Sequence, residues 1–162
     1  MSEGVEIERK FVVARLPEDL AGGGWRAELV EQGYLAITPD LEVRVRRRGS
    51  GQARHTTLTI KSAPALARVE EELALAAEAF ERLWPLTAGR RLVKTRYVRE
   101  AAPAVLLELD VYAGPLEGLA TLEVEFADEA TSRAFTPPPW AGREVTGDPA
   151  YANQKLAVHG RP

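Results

Sequence analysis

Cysteine is absent from the 162-residue chain, which excludes disulfides, thiolate nucleophiles and cysteine-bound zinc. Histidine is nearly absent. His55 and His159 are too few for a zinc site, and surface positions suit them. No apolar run is long enough to cross a bilayer, and the charged start lacks the apolar stretch of a secretory signal. A cytoplasmic protein with no membrane partner is expected. Nor is there an excess of one charge: the formal net charge is -3, which gives a nucleic-acid partner no support. Gly22-Gly23-Gly24 lacks the following Lys-Ser/Thr of a P-loop and reads as a connector. No repeat or low-complexity tract is visible, and the length suits one compact domain over residues 1–162.

What the chain does have is short runs of period-2 alternation, the mark of strands with two different faces. Residues 5–13 place Glu6, Glu8 and Lys10 against apolar neighbours. Residues 29–38 put Gln32 and Tyr34 opposite Leu35 and Ile37, and 41–48 set Val43 and Val45 against Arg44 and Arg46. Runs at 56–61, 68–75, 92–98, 105–112 and 121–126 follow the same rule. The period changes to helical at 76–86, where Phe80, Leu83 and Trp84 recur before Pro85 and Gly89. Short helices are also expected at 129–135 and 149–159, the first followed by the stop Pro137-Pro138-Pro139. About eight strands and two or three helices with short connections predict an α+β fold: a closed, eight-stranded antiparallel barrel with flanking helices and a C-terminal helix.

One face of these strands carries like charges in pairs. The acidic pairs are Glu6/Glu8, Glu70/Glu72, Glu108/Asp110 and Glu123/Glu125; the basic pairs are Arg44/Arg46 and Lys94/Arg96; Lys10, Lys61 and Arg68 stand singly. Residues two apart in a strand point the same way, so each pair converges on one side of the sheet. Alternation alone favours a solvent-facing charged surface over an apolar interior. Two features favour the reverse. Solvent faces intersperse charge signs, whereas like charges side by side repel. The amphipathic helix at 76–86 also needs an apolar sheet surface to cover, which turns the charged face inward. An interior with so many charges is no ordinary core, because unpaired buried charge is very costly. It suits a ligand with both kinds of counter-charge, such as a polyphosphate held with Mg²⁺ or Mn²⁺: carboxylates take the hard cation, and Arg and Lys take phosphate oxygens.

Glu6-Ile7-Glu8-Arg9-Lys10 is an ExExK motif. Gln32-Gly33-Tyr34-Leu35, Arg44-Val45-Arg46, Leu58-Thr59-Ile60-Lys61 and Arg68-Val69-Glu70-Glu71-Glu72 follow it. Further on come Leu83-Trp84-Pro85, Lys94-Thr95-Arg96-Tyr97, Glu108-Leu109-Asp110, Glu123-Val124-Glu125-Phe126 and Tyr151-Ala152-Asn153-Gln154-Lys155. In this order the segments resemble the CYTH superfamily, the triphosphate tunnel metalloenzymes, and its compact bacterial members in particular. The resemblance spans nearly the whole chain.

That resemblance implies a tunnel of eight antiparallel strands, charged within. Glu6, Glu8, Glu123 and Glu125 would be metal ligands, with Glu108 and Asp110 joining them or acting through water. Lys10, Arg44, Arg46, Lys61, Lys94, Arg96 and Lys155 would bind the substrate's phosphate oxygens, Lys155 from a helix that plugs one end. Arg68, Glu70 and Glu72 would serve the site or form ion pairs on the wall. Tyr34 is either a proton acceptor, its pKa lowered by Lys10 or Lys94, or a buried hydroxyl with a structural partner. The activity implied is metal-dependent hydrolysis of inorganic tripolyphosphate, with a homodimer as a possible assembly. The alternatives are an organic triphosphate substrate (nucleoside or thiamine triphosphatase, or adenylate cyclase) and a non-catalytic polyphosphate binder.

Overall fold

The computed structural model describes residues 7–63 and 69–162. Nine strands run through them: β1 (Ile7–Val13), β2 (Arg26–Ile37), β3 (Leu41–Ser50), β4 (Ala53–Ser62), β5 (Glu70–Ala74), β6 (Arg91–Ala102), β7 (Val105–Tyr112), β8 (Ala120–Phe126) and β9 (Ala141–Glu144). Three helices join them: α1 (Ala77–Leu83), continued by a 3₁₀ turn over Trp84–Thr87, α2 (Glu129–Ala134) and α3 (Asn153–His159). Glu6 and Arg68 lie outside the described residues.

All nine strands form one sheet in the order β5-β4-β3-β2-β6-β7-β8-β1-β9, every neighbour antiparallel. The α+β class agrees with the sequence, but the closed eight-stranded barrel does not. Among the described residues no hydrogen-bonded ladder joins the two ends of the order. The ninth strand is one reason, because β9 occupies the free edge of β1 through Phe11↔Glu144 and Val13↔Ala141. The sheet nonetheless curls strongly, since Glu8 of β1 and Glu70 of β5 line the same cavity.

The outward face of the curl is apolar, as an α-helix cover requires. Phe11, Leu107, Leu109, Leu122, Val124 and Phe126 form one buried cluster, packed against Trp25, Phe135 and Trp140. Phe126 and Phe135 meet edge-on at 5.2 Å. Burying each such side chain contributes about 1.5–3 kcal/mol. Over β2 and β3, α1 lays Phe80 under the Arg47 guanidinium and onto Trp84. Arg47 also pairs with Glu31 and Glu81, which ties α1 to the sheet.

The third helix departs from this plan. The inward positions at one end of four strands, Val12, Tyr34, Leu92 and Tyr112, are apolar or aromatic rather than charged, and they pack with Leu156 and Ala157 of α3. An apolar plug therefore stops one end of the curl, and the charged positions lie beyond it.

Candidate active site

Register places the charges. Across β1 and β8, Glu8 stands opposite Glu125 and Lys10 opposite Glu123; across β7 and β8, Glu108 stands opposite Glu123. Across β3 and β4, Arg44 and Arg46 face Thr59 and Thr57. Period-2 alternation then turns all of them to the concave side. They enclose a cavity of about 340 Å³ lined by Glu8, Glu108, Glu123 and Glu125 on one side and by Arg44, Arg46, Arg48 and Lys61 on the other. Lys94, Arg96 and Gln32 line it between the two walls.

The basic wall is poorly satisfied from within. Arg44 Nε and Arg46 Nε are buried with no hydrogen-bond partner. Burial, and then the neighbouring Arg44 charge, hold the Arg46 guanidinium below its ordinary pKa, only partly offset by Glu72. Buried donors are normally paired, so two orphaned guanidinium nitrogens mark a place for an anion. Lys61 pairs with the partly exposed Glu70 at 3.2 Å, and Arg46 with Glu72 at 3.2 Å.

The acidic wall has the opposite defect. Like charges directly opposite on neighbouring strands destabilise a sheet. Here Glu8↔Glu125 and Glu108↔Glu123 are such pairs. Burial, opposed by Arg96 and reinforced by Glu125, Glu123 and Asp110, pushes the Glu108 carboxyl up to about 7. These are hard oxygen donors, and Glu108 is crowded enough to resist ionisation, which fits a hard divalent cation such as Mg²⁺ or Mn²⁺ in chemistry. Among the described residues no three acidic side chains already stand in metal-holding geometry.

Three of the expected site residues are arranged as follows. Asp110 is fully buried on the face it shares with Glu108 and does not line the cavity. Its carboxylate accepts from Lys94 Nζ at 2.6 Å and from Arg96 Nε and Nη2 at 2.7 and 2.8 Å. Burial raises its pKa, but Lys94 and Arg96 outweigh this and hold it low. Both oxygens are thus committed to cations, so the structure places Asp110 as an anchor rather than among the carboxylates that line the cavity. Burial also lowers Lys94, against Asp110's pull. Arg96 is raised overall, because Asp110, Glu108 and Glu123 together exceed the effect of burial.

Tyr34 is the second. It is buried in the plug, and its hydroxyl accepts from Gln32 Nε2 at 2.7 Å. Burial pushes the phenol up to about 12, which goes with the reading of a buried hydroxyl with a structural partner rather than with a proton acceptor lowered by Lys10 or Lys94. Lys94 is held by Asp110, and Lys10 donates to the Tyr151 carbonyl at 2.8 Å while facing Glu123 at 3.1 Å. A phenol so raised is a poor base. Lys155 is the third: it is exposed, beside Pro149 and His159, and does not line the cavity. From the same helix it is Asn153 that does.

Sequence reasoning also passed over Arg48 and Glu28, which line the cavity as well. The signal was there: Arg48 extends the Arg44/Arg46 series by two, and Glu28 extends Val30/Gln32 backwards by two.

No protein-family model matches the chain. It is similar to the inorganic triphosphatase of Nitrosomonas europaea, 45% identical over 154 residues, covering 94% of this chain and 97% of that one. The inorganic triphosphatase of Acetivibrio thermocellus is 36% identical over 156 residues, covering 94% and 93%. The crystal structure of the inorganic triphosphatase NE1496 superposes with a TM-score of 0.78 at 42% identity, covering 98% of this chain and 97% of that one. A protein of Pyrococcus horikoshii shares the fold, with a TM-score of 0.53 at 20% identity and coverage of 79% and 85%. The split-charge cavity and these relatives lead to one conclusion: the chain belongs to the inorganic triphosphatases, within the triphosphate tunnel metalloenzyme superfamily that its motifs resemble.

Proposed function

We propose that the protein hydrolyses inorganic tripolyphosphate to pyrophosphate and phosphate inside this cavity, with Mg²⁺ or Mn²⁺. The observation that carries the reading is the split of the cavity: directly opposed carboxylates on β1, β7 and β8 face buried, unpartnered guanidinium nitrogens on β3. The acidic wall offers the hard oxygen donors that a divalent cation takes, and the basic wall offers the guanidinium donors that phosphate oxygens take.

Glu8, Glu108, Glu123 and Glu125 would hold the metal, with Glu6 preceding them on the chain. A bound divalent ion would screen the polyphosphate charge and polarise its phosphoryl oxygens. Arg44, Arg46 and Lys61 hold non-bridging oxygens from the opposite wall. Arg96 is clamped by Asp110 and Glu108, so it meets the substrate already oriented. Little covalent chemistry is asked of the protein, because phosphoryl transfer depends mainly on positioning and charge stabilisation. Water attacks the terminal phosphorus, and the bond from that phosphorus to the bridging oxygen breaks. The products are pyrophosphate and phosphate.

The test is phosphate release from tripolyphosphate, ATP and thiamine triphosphate, each with Mg²⁺, Mn²⁺ or EDTA. Metal-dependent release that is fastest from tripolyphosphate supports the reading. Faster turnover of an organic triphosphate, or a cyclic nucleotide product, replaces the substrate. No release from any of them overturns the reading in favour of a binder.

A further inference from the structure

We infer that Asn153 contacts the substrate, its side-chain amide donating a hydrogen bond to the terminal phosphoryl group, and that Tyr112 is the positioning residue that aims it. The inference rests on the proposed hydrolysis and adds a residue from α3 to a site otherwise built from strands.

Asn153 is the first residue of α3 and lines the charged cavity. Its side chain does not cap its own helix, where Ala152 precedes it without a side-chain cap. Instead Oδ1 accepts the Tyr112 hydroxyl at 2.9 Å. Tyr112 is itself immobilised, buried among Leu92, Leu116 and Leu156 of the plug. With the oxygen taken, the Nδ2 group is what the amide presents to the cavity, and it brings two donors and no acceptor.

Three other donors of this layer are committed elsewhere, whereas Arg44 belongs to the opposite wall. Lys10 is shared between Glu123 and the Tyr151 carbonyl, Lys94 is bound to Asp110, and Gln32 donates to Tyr34. Among the described residues the Asn153 nitrogen has no such acceptor. A phosphoryl oxygen would supply one.

Position decides which phosphoryl group it meets. The plug of Val12, Tyr34, Leu92, Tyr112 and Leu156 closes the cavity at the α3 end. A linear polyphosphate entering from elsewhere can bring only its terminus there. A neutral donor suits that place, because it adds a contact without another cation beside Lys10 and Lys94.

The decisive variant is Asn153→Asp. It keeps an oxygen for the Tyr112 hydroxyl while replacing the donor by a repelling carboxylate. Tripolyphosphate is titrated calorimetrically into wild type, N153D, N153A and Y112F in EDTA, and kcat and KM are measured with Mg²⁺. Losing one hydrogen bond to a charged oxygen should weaken tripolyphosphate binding in N153A roughly 10- to 100-fold. N153D should lose more, and Y112F less but in the same direction, with KM raised more than kcat is lowered. Unfolding temperatures establish that each variant is folded, and Asn153→Ser replaces any that is not. Binding and KM within about twofold of wild type in N153D and N153A overturn the inference. A wild type that binds but does not hydrolyse tripolyphosphate overturns the proposed function instead, and the titration still decides on Asn153.

Discussion

Replacing Glu108 by Gln should make the metal-free protein more stable, and increasingly so as pH rises. The Glu108 carboxyl has a folded-state pKa of about 7 against an ordinary 4.5. Burial is the largest cause, and the carboxylates of Glu125, Glu123 and Asp110 add to it despite Arg96. A carboxyl raised on folding favours the protonated form, so its contribution to stability is highest below about 4.5 and is lost as pH climbs through 7. At about 1.36 kcal/mol per pH unit, the penalty is under about 1 kcal/mol at pH 5 and about 3 kcal/mol at pH 8. Glutamine is nearly isosteric, escapes that penalty, and leaves its carbonyl to accept from Arg96, which lies 2.7 Å from Glu108 now. The gap between the variant and wild type should therefore widen by about 2.5 kcal/mol from pH 5 to pH 8, some 5–10 °C in Tm for a chain of this size. Thermal melts in EDTA at several pH values measure it. Adding Mg²⁺ or Mn²⁺ should close the gap, because a divalent cation favours the ionised carboxylate. A gap that stays flat with pH, or a variant less stable than wild type at pH 8, would refute the electrostatic account of the acidic wall.

On the basic wall, Arg46→Met removes a buried charge that burial and Arg44 already disfavour. It should raise the KM for tripolyphosphate roughly 10- to 100-fold in steady-state kinetics, with little loss of Tm. Ala104, in the β6–β7 turn, has φ of +64°, which a side chain resists. Ala104→Gly should gain about 1 kcal/mol in urea unfolding. At Gly33 an added Cβ would stand 2.5 Å from Thr87 Oγ1 and 2.6 Å from Thr87 Cβ. The Thr87 hydroxyl is also tied to the Trp84 carbonyl and Arg91, so Gly33→Ala should cost about 1–3 kcal/mol in the same assay.

Strand by strand, the concave face was legible because alternation reports on facing. Arg44/Arg46 and Glu123/Glu125 needed no partner strand to reveal that they point together. Closure was not legible, since it depends on which edges meet. Ala141–Glu144 is four residues long, has no apolar alternation, and becomes a strand only because β1 offers it an edge. Asp110 shares the face of Glu108, but alternation cannot say that Lys94 and Arg96 would claim both its oxygens. The choice between the two readings of Tyr34 was not legible for a related reason: the apolar plug that raises its pKa is assembled from α3, more than a hundred residues later in the chain. On α3, Lys155 and Asn153 differ by two residues, about 200° of helical turn, so the helix that turns Asn153 to the cavity turns Lys155 away from it.

Among the described residues the plug stops the cavity at one end. Substrate and products that use the opposite end share it, so traffic there imposes an order that chemistry alone does not. If the terminal phosphoryl group lies against the plug, the orthophosphate it yields is formed behind the pyrophosphate. Pyrophosphate then has to leave first, and while it lingers it traps the smaller product. Orthophosphate left at the bottom would in turn hold the next polyphosphate one step short of its place. The plug on α3 thus makes a queue out of the active site, last in and first out.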